Sequence, residues 1–365
     1  RPVKLKGELC FQTAVSDGKR EYHSNETKEE ILAKIDGWLR NDYKQLQMDT
    51  TSAEIQALVN RKGKAQIRKR IRVQKTEARV LDHNRKKRYI LEEGRPVPFL
   101  VDLGVMTQEG AVVKTRYDKF RQINRFLEFI EDILPELDQD RELTLIDFGC
   151  GKSYLTFAMY YYLCIMKGYR IRMIGLDLKS DVMEHCQELA DKYGYDRLTF
   201  LTGDIADYEG VDRVDMVVTL HACDTATDYA LQKSLEWGAK MILSVPCCQH
   251  ELNRQIGSEL QEPLLKYGLI RERMAALLTD AMRADILELE GYQVQILEFI
   301  DMEHTPKNIL IRAVRKNAGR DACGVSAQRE KQKELAKLQE CMRSWGVSPL
   351  LYRLRTGGNN ENDSA

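Results

Sequence analysis

The stretch LIDFGCGKSY, residues 145–154, decides the fold, because more than one kind of nucleotide site lays claim to it. Its GKS end matches the end of a phosphate-binding loop, G-x-x-x-x-G-K-[ST], whose first glycine opens the turn around the phosphates. With Gly151, Lys152 and Ser153 as that end, the first glycine belongs at 146, where the chain has Ile146 in an apolar strand pattern. The dinucleotide fingerprint G-x-G-x-x-G fails at its third glycine, since Gly149 and Gly151 fit and Tyr154 follows. Neither phosphate reading survives. What remains is an acid and two glycines, Asp147, Gly149 and Gly151, at the end of a strand.

Working outward, short β-branched apolar runs alternate with helical patterns, the signature of a parallel sheet covered on both faces. The runs are LTLIDF (143–148), RIRMIGLD (170–177), LTFLTG (198–203), VDMVVTL (214–220), KMILSV (240–245), YQVQILEF (292–299) and NILIRAV (308–314). Only IDMEHTPK separates the last two, too little for a crossover helix, so they are expected to form an antiparallel hairpin. The expected fold class is α/β: a Rossmann-like, seven-stranded sheet of five parallel strands plus that hairpin, the class I methyltransferase layout rather than the sheet of a dehydrogenase.

The strand ends suit S-adenosyl-L-methionine (SAM), which carries an ammonium, a carboxylate, a ribose and an adenine but no phosphate. Asp147 is placed for the cationic amino-acid end, and Gly149 and Gly151 let the backbone approach, with a helix N-terminus behind them for the carboxylate. Asp177, ending the second strand in GLDLK, is placed for the ribose hydroxyls. Asp204, in TGDI after the third, is placed for the adenine amine, with Ile205 against the ring. Three acids at successive strand ends surround the crevice where open α/β sheets bind ligands. An ordinary set of strand-end turns is the bland alternative.

Residues 141–315 resemble class I SAM-dependent methyltransferases. The motifs DFGCGKSYLTFA, GLDLK, TLHACDTATDYAL and SVPCCQHEL resemble in particular the group of methyltransferase-like 25 proteins and relatives labelled as rRNA adenine dimethylase domain-containing. That label implies an RNA acceptor. In amino-directed base methyltransferases, however, strand four ends in [DNS]-P-P-[YFW], and TLHACD (219–224) has neither the prolines nor the aromatic.

His221, Cys223 and Asp224 follow strand four, and Cys247, Cys248 and His250 follow strand five. Cys150 lies in the glycine loop and His304 in the last hairpin. Three readings of this set stand side by side. Cys223 with Cys247 or Cys248 supplies a covalent nucleophile, as in cytosine-C5 RNA methyltransferases. Cysteines and neutral histidines bind zinc, although H-x-C with C-C-x-H is not a standard zinc spacing. Or His221, Asp224 or His250 positions or deprotonates the acceptor while the cysteines line the pocket. The acceptor-side assignment is therefore His221, Asp224, His250, Cys223, Cys247 and Cys248, with no metal ligand assigned.

Charge is segregated. The chain has 365 residues, 43% apolar, and a net charge of zero, yet residues 61–90 hold 13 Lys and Arg against Glu77 and Asp82, a net +11. A solvated helix face is the plain reading of such a run. Phosphate backbones are the sharper one, so Arg61 to Arg88 is expected to bind nucleic acid, RNA above all, with an acidic protein as rival. The division expected is a basic, largely helical docking module at 1–140, the methyltransferase domain at 141–315, and a charged helix with a disordered tail at 316–365. In the first module TSAE (51–54) reads as a capping box opening a helix with Ile55, Leu58 and Val59 on one face. Nine scattered cysteines and no signal-like or 18-residue apolar run point to a reducing, cytoplasmic setting and no membrane partner. SAM-dependent methylation of RNA is the expected function. A protein or small-molecule methyltransferase, a SAM- or RNA-binding scaffold without catalysis, and an NAD enzyme are the rivals.

Overall fold

The computed structural model describes residues 1–365 except 6, 7, 19, 51, 61, 62, 72–88, 221, 300–307, 317–324 and 358–365. Arg61, Arg88, His221, His304 and most of the expected disordered tail therefore lie outside the described residues. Two compact units divide the chain, Arg1–Arg88 and Tyr89–Ala365.

In the first unit β1 (Pro2–Leu5), β2 (Glu8–Ser16) and β3 (Glu21–Glu26) form an antiparallel sheet, followed by α1 (Lys28–Asn41). Thr27 starts α1 with a capping box: its hydroxyl accepts from the Glu30 amide, and the Glu30 carboxylate accepts from the Thr27 amide at 2.8 Å. A second antiparallel sheet holds β4 (Gln45–Asp49), β5 (Ala53–Val59) and β6 (Ala65–Ile71). The unit is thus largely β among its described residues, not largely helical. The helix expected from TSAE is β5. The Thr50 hydroxyl accepts from the Ala53 amide at 2.9 Å, and the Thr50 amide donates to the Ala53 carbonyl, so the chain folds back into a hairpin here. From Ala53 onward burial follows a period of two, with Ala53 and Ala57 buried and Glu54 and Leu58 exposed, and that alternation overrides the helical spacing.

The second unit begins with α2 (Pro98–Asp102) and α3 (Tyr117–Ile133), then alternates β7 (Leu143–Phe148), α4 (Tyr154–Tyr160), β8 (Ile171–Asp177), α5 (Ser180–Lys192), β9 (Leu198–Thr202), β10 (Met216–Thr219), α6 (Thr225–Glu236) and β11 (Met241–Ser244). After α7 (His250–Gln255), α8 (Glu262–Leu265) and α9 (Gly268–Leu289) comes the hairpin β12 (Tyr292–Glu298) and β13 (Ile309–Arg315), then α10 (Val325–Trp345) and α11 (Leu350–Thr356). The sheet order is β12-β13-β11-β10-β7-β8-β9, with β13 antiparallel to both neighbours and β11, β10, β7, β8 and β9 mutually parallel. All seven strands lie where the sequence pattern puts them. This is the class I methyltransferase fold.

Side chains alternate across the sheet. Leu143 and Leu145 join Phe120, Phe126 and Ile130 of α3 in one apolar layer, while Ile146 and Phe148 join Leu231 of α6 and Ile286 of α9 in the other. A fully buried Phe or Ile here contributes about 1.5–3 kcal/mol. The expected boundary at 140 moves to 88/89 for this reason: α3 and the segment before it belong to the same core. The buried Asn124 side chain accepts from the Leu91 amide at 2.8 Å and donates to the Phe120 carbonyl, tying that segment to α3. The charged α10 is likewise no free appendage, since Leu338, Met342 and, on α11, Leu351 are buried in the second layer. Among the described residues no helix is long and apolar enough to cross a membrane.

Candidate active site

The order reverses at β7, with β8 on one side and β10 on the other, so the crevice opens at their carboxyl ends. The turn from β7 into α4 is left-handed three times: Gly149 at φ 65°, Gly151 at 52° and Ser153 at 56°. Glycine takes such angles without strain and serine does not. The Gly149 amide donates to the Leu176 carbonyl at 2.8 Å and the Gly151 amide to the Asp177 carboxylate at 2.9 Å. These amides hold the loop to β8 rather than ringing a phosphate, and Ile146 is wholly buried. The phosphate readings fail in three dimensions as well.

Asp147 is 3% exposed and accepts a 2.6 Å hydrogen bond from the Thr156 hydroxyl. Burial, reinforced by the negative Asp177 and opposed by that hydrogen bond, pushes its carboxyl up to about 7. It lines a cavity of about 270 Å³ together with Lys119, Cys150, Lys152 and Tyr154. Lys119 comes from α3, and burial lowers its ammonium below the usual lysine range. Its Nζ lies 4.6 Å from the centre of the Tyr154 ring. Sequence reasoning missed Lys119; the only signal was a lysine at the margin of the apolar stripe that buries Phe120 and Ile123.

Asp177 is half-buried at the end of β8, where its second oxygen accepts from the Lys179 amide at 3.2 Å. Asp204 is exposed and accepts from the Ala206 amide at 2.9 Å, a tight turn that presents the half-buried Ile205 beside it. The donor set fits SAM. A buried anion and a cation facing one cavity match its ammonium and carboxylate, and the carboxylate of β8 and an apolar side chain after β9 follow at the neighbouring strand ends.

On the other side of β7 the loops after β10 and β11 carry the acceptor candidates. Cys223, Cys247 and Cys248 come together, with Cys223 and Cys247 sulfurs 2.9 Å apart and Cys247 and Cys248 sulfurs 3.8 Å apart. Burial, then the neighbouring thiols, push the Cys247 thiol far up, and burial raises Cys248. Cys150 is elsewhere, buried in the glycine loop with its sulfur 3.7 Å from that of Met183. His250 is exposed at the first position of α7. Asp224 has φ 53° and ψ −121°, and with Ser153 it is one of two non-glycine residues of positive φ among those described. Its carboxylate accepts from the Glu251 amide at 2.9 Å, tying the first acceptor loop to the start of α7.

A buried ionic network holds this arrangement, and the sequence reading did not find it. Arg283 of α9, 1% exposed, donates to both oxygens of Asp228 at 2.5 and 3.1 Å, to Asp280 at 3.2 Å and to the Asp224 carbonyl at 2.9 Å. Gln249 in turn donates to Asp280 at 3.1 Å. One guanidinium thus secures both acceptor loops. Its signal was an Asp and an Arg at i, i+3 amid the apolar residues of a long helix, a pair that burial makes obligatory.

Residues 118–255 match a family described as a methyltransferase domain. No curated protein matches the chain. Among solved structures it is similar to the citrinin polyketide synthase CMeT domain, at 17% identity over 54% of this chain and 54% of that one, TM-score 0.36, so it spans about half of that chain's length. It is similar to magnesium protoporphyrin IX methyltransferase from Synechocystis PCC 6803 with bound SAH, at 15% identity over 57% and 89%, TM-score 0.37. It is also similar to the 23S rRNA methyltransferase ErmE, at 14% identity over 64% and 82%, TM-score 0.37. The strand order is that of the class I methyltransferase fold, and residues 118–255 match a methyltransferase domain.

Proposed function

We propose that this enzyme methylates RNA in the cytoplasm and that its basic N-terminal segment, Arg61 to Arg88, docks the substrate. The observation that carries the reading is charge: a net +11 over residues 61–90 of a chain whose total is zero. Within the described part of that run, every residue of β6 is exposed, and Arg68, Lys69 and Arg70 lie on it in succession. Successive strand residues face opposite ways, so both faces of β6 present cations. Such a surface suits a phosphate backbone and reads no base, which leaves selectivity to the acceptor loops. The HAC and PCC motifs support placing the enzyme with the methyltransferase-like 25 group.

SAM supplies an electrophilic methyl on its sulfonium. Asp147 would hold its ammonium, Lys119 its carboxylate, Asp177 the ribose, and Asp204 with Ile205 the adenine. Asp224 and His250 stand on the acceptor side, where a base or an orienting acceptor belongs. The test is the double charge reversal Arg68→Glu with Arg70→Glu. RNA binding is expected to weaken and its log–log salt dependence to become shallower, by about 0.7–0.9 for each phosphate no longer neutralised. Unchanged binding and an unchanged slope would rule out this arm as the docking surface.

A further inference from the structure

We propose that Cys223, Cys247 and Cys248 form a three-thiolate binding site for a zinc ion on the acceptor side of the crevice. Topology brings the ligands together. β10 and β11 are adjacent and parallel with Thr219 opposite Ser244, and Cys223 and the Cys247–Cys248 pair follow those strands within four residues. The segments leaving the carboxyl ends of two neighbouring strands therefore deliver three sulfurs to one place, all within 4.8 Å of one another.

The loops are held from below. The residue after Cys223 is Asp224, fixed through its carbonyl by Arg283 and through its carboxylate by the Glu251 amide. The residue after Cys248 is Gln249, fixed by Asp280, which Arg283 also holds. These bonds fix the backbone on the carboxyl side of Cys223 and Cys248. At a Zn–S bond of about 2.3 Å the sulfurs of a tetrahedral site stand roughly 3.8 Å apart. That is the separation of Cys247 and Cys248, 3.8 Å. Cys223, the exposed member, reaches the same spacing by withdrawing about 1 Å.

Electrostatics point the same way. Three sulfurs this close cannot all ionise without a cation, because like charges a few ångströms apart repel one another. A divalent ion removes the conflict: three S–H bonds break heterolytically, three Zn–S bonds form, the protons go to solvent and no electron changes hands. Among soft ligands thiolate selects zinc or copper(I) over hard cations. Three protein ligands leave a fourth position, as in zinc sites that bind a reacting group rather than merely staple the chain. The site is independent of which acceptor the enzyme uses.

The test uses the full chain, reduced and freed of metal, titrated anaerobically with Co²⁺ and then Zn²⁺. Expected are one equivalent of Co²⁺ with sulfur-to-metal charge-transfer absorption, its displacement by Zn²⁺, and proton release on Zn²⁺ binding. Cys223→Ser and Cys247→Ser are each expected to weaken Zn²⁺ by more than the roughly 10–100-fold that loss of an outer partner costs. Cys341→Ser, on α10, is expected to bind as the parent does. Circular dichroism of the exposed-site variant Cys223→Ser shows whether lost binding reflects lost folding. Absence of the charge-transfer band in the folded parent, or binding that survives both serine variants, overturns the site. A Cys223–Cys247 disulfide, with no metal uptake after its reduction, overturns it equally.

Discussion

Asp147 and Lys119 place opposite charges against one small cavity, and each is held away from its charged form by burial. A zwitterion restores both. Binding of an ammonium favours ionised Asp147, so SAM binding releases a proton whenever the free carboxyl, at about 7, is protonated. Affinity is therefore expected to rise as pH climbs from 6 towards 7, by up to about tenfold per unit, and to fall again once the ligand's own amine titrates near 7.7–8.0. Calorimetric titration across pH 6–9 checks this, and Asp147→Asn is expected to flatten the acid limb. If the parent shows no acid limb, Asp147 does not meet the ammonium. Asp177→Ala is expected to weaken SAM by about 1–3 kcal/mol through unpaired ribose donors. Unaltered affinity would displace the ribose from β8. The placement of Asp147, Asp177 and Asp204 at or just past the carboxyl ends of β7, β8 and β9 was legible because those strands follow one another in a fixed order. Lys119 was not, since its role arises only when α3 packs beside β7.

At the scale of elements, α9 and α11 do more than cover the sheet. Arg283 joins α9 to α6 and to both acceptor loops, and removing it leaves Asp228 and Asp280 buried without their counter-charge. Arg283→Met is expected to cost about 3–5 kcal/mol in denaturant unfolding. Burial already raises Asp280 to about 6, so the native state holds more protons than the unfolded one between pH 4 and 6, and stability falls as pH rises through that window. Losing Arg283 widens the window upward, so the variant recovers stability on acidification. A pH-independent loss would show that the carboxylates find other partners. On α11, Leu351 is fully buried and Arg353 pairs with Glu251 at 2.8 Å. Leu351→Ala is expected to cost about 2–5 kcal/mol in the same assay, whereas a loss below 1 kcal/mol would make the docking of α11 incidental. Neither helix's full role was readable locally: beyond its neighbour Asp280, the partners of Arg283, Asp228 and Asp224, lie more than fifty residues away. The TSAE segment failed for the opposite reason. Its local helix signal was real, but the Thr50 turn and the alternation after it favour a strand.

Over the whole molecule, the methyltransferase sheet was written plainly in the sequence because buried strands are short, β-branched and punctuated by glycine and acid. The boundaries were less legible. Residues 89–140 were grouped with the basic module at 1–140, yet their apolar face completes the sheet's core. The acceptor chemistry was least legible, because cysteine, histidine and aspartate serve nucleophile, metal and scaffold alike until their distances are known. Labelled methyl offered from SAM is the first measurement for methyl transfer to RNA. RNA and protein from a cell extract lacking this activity are incubated with the enzyme, then divided between nuclease and protease. Label released by nuclease and resistant to protease is the result predicted. Label that survives nuclease and is lost to protease would contradict the RNA assignment and make the basic arm a grip on an acidic protein.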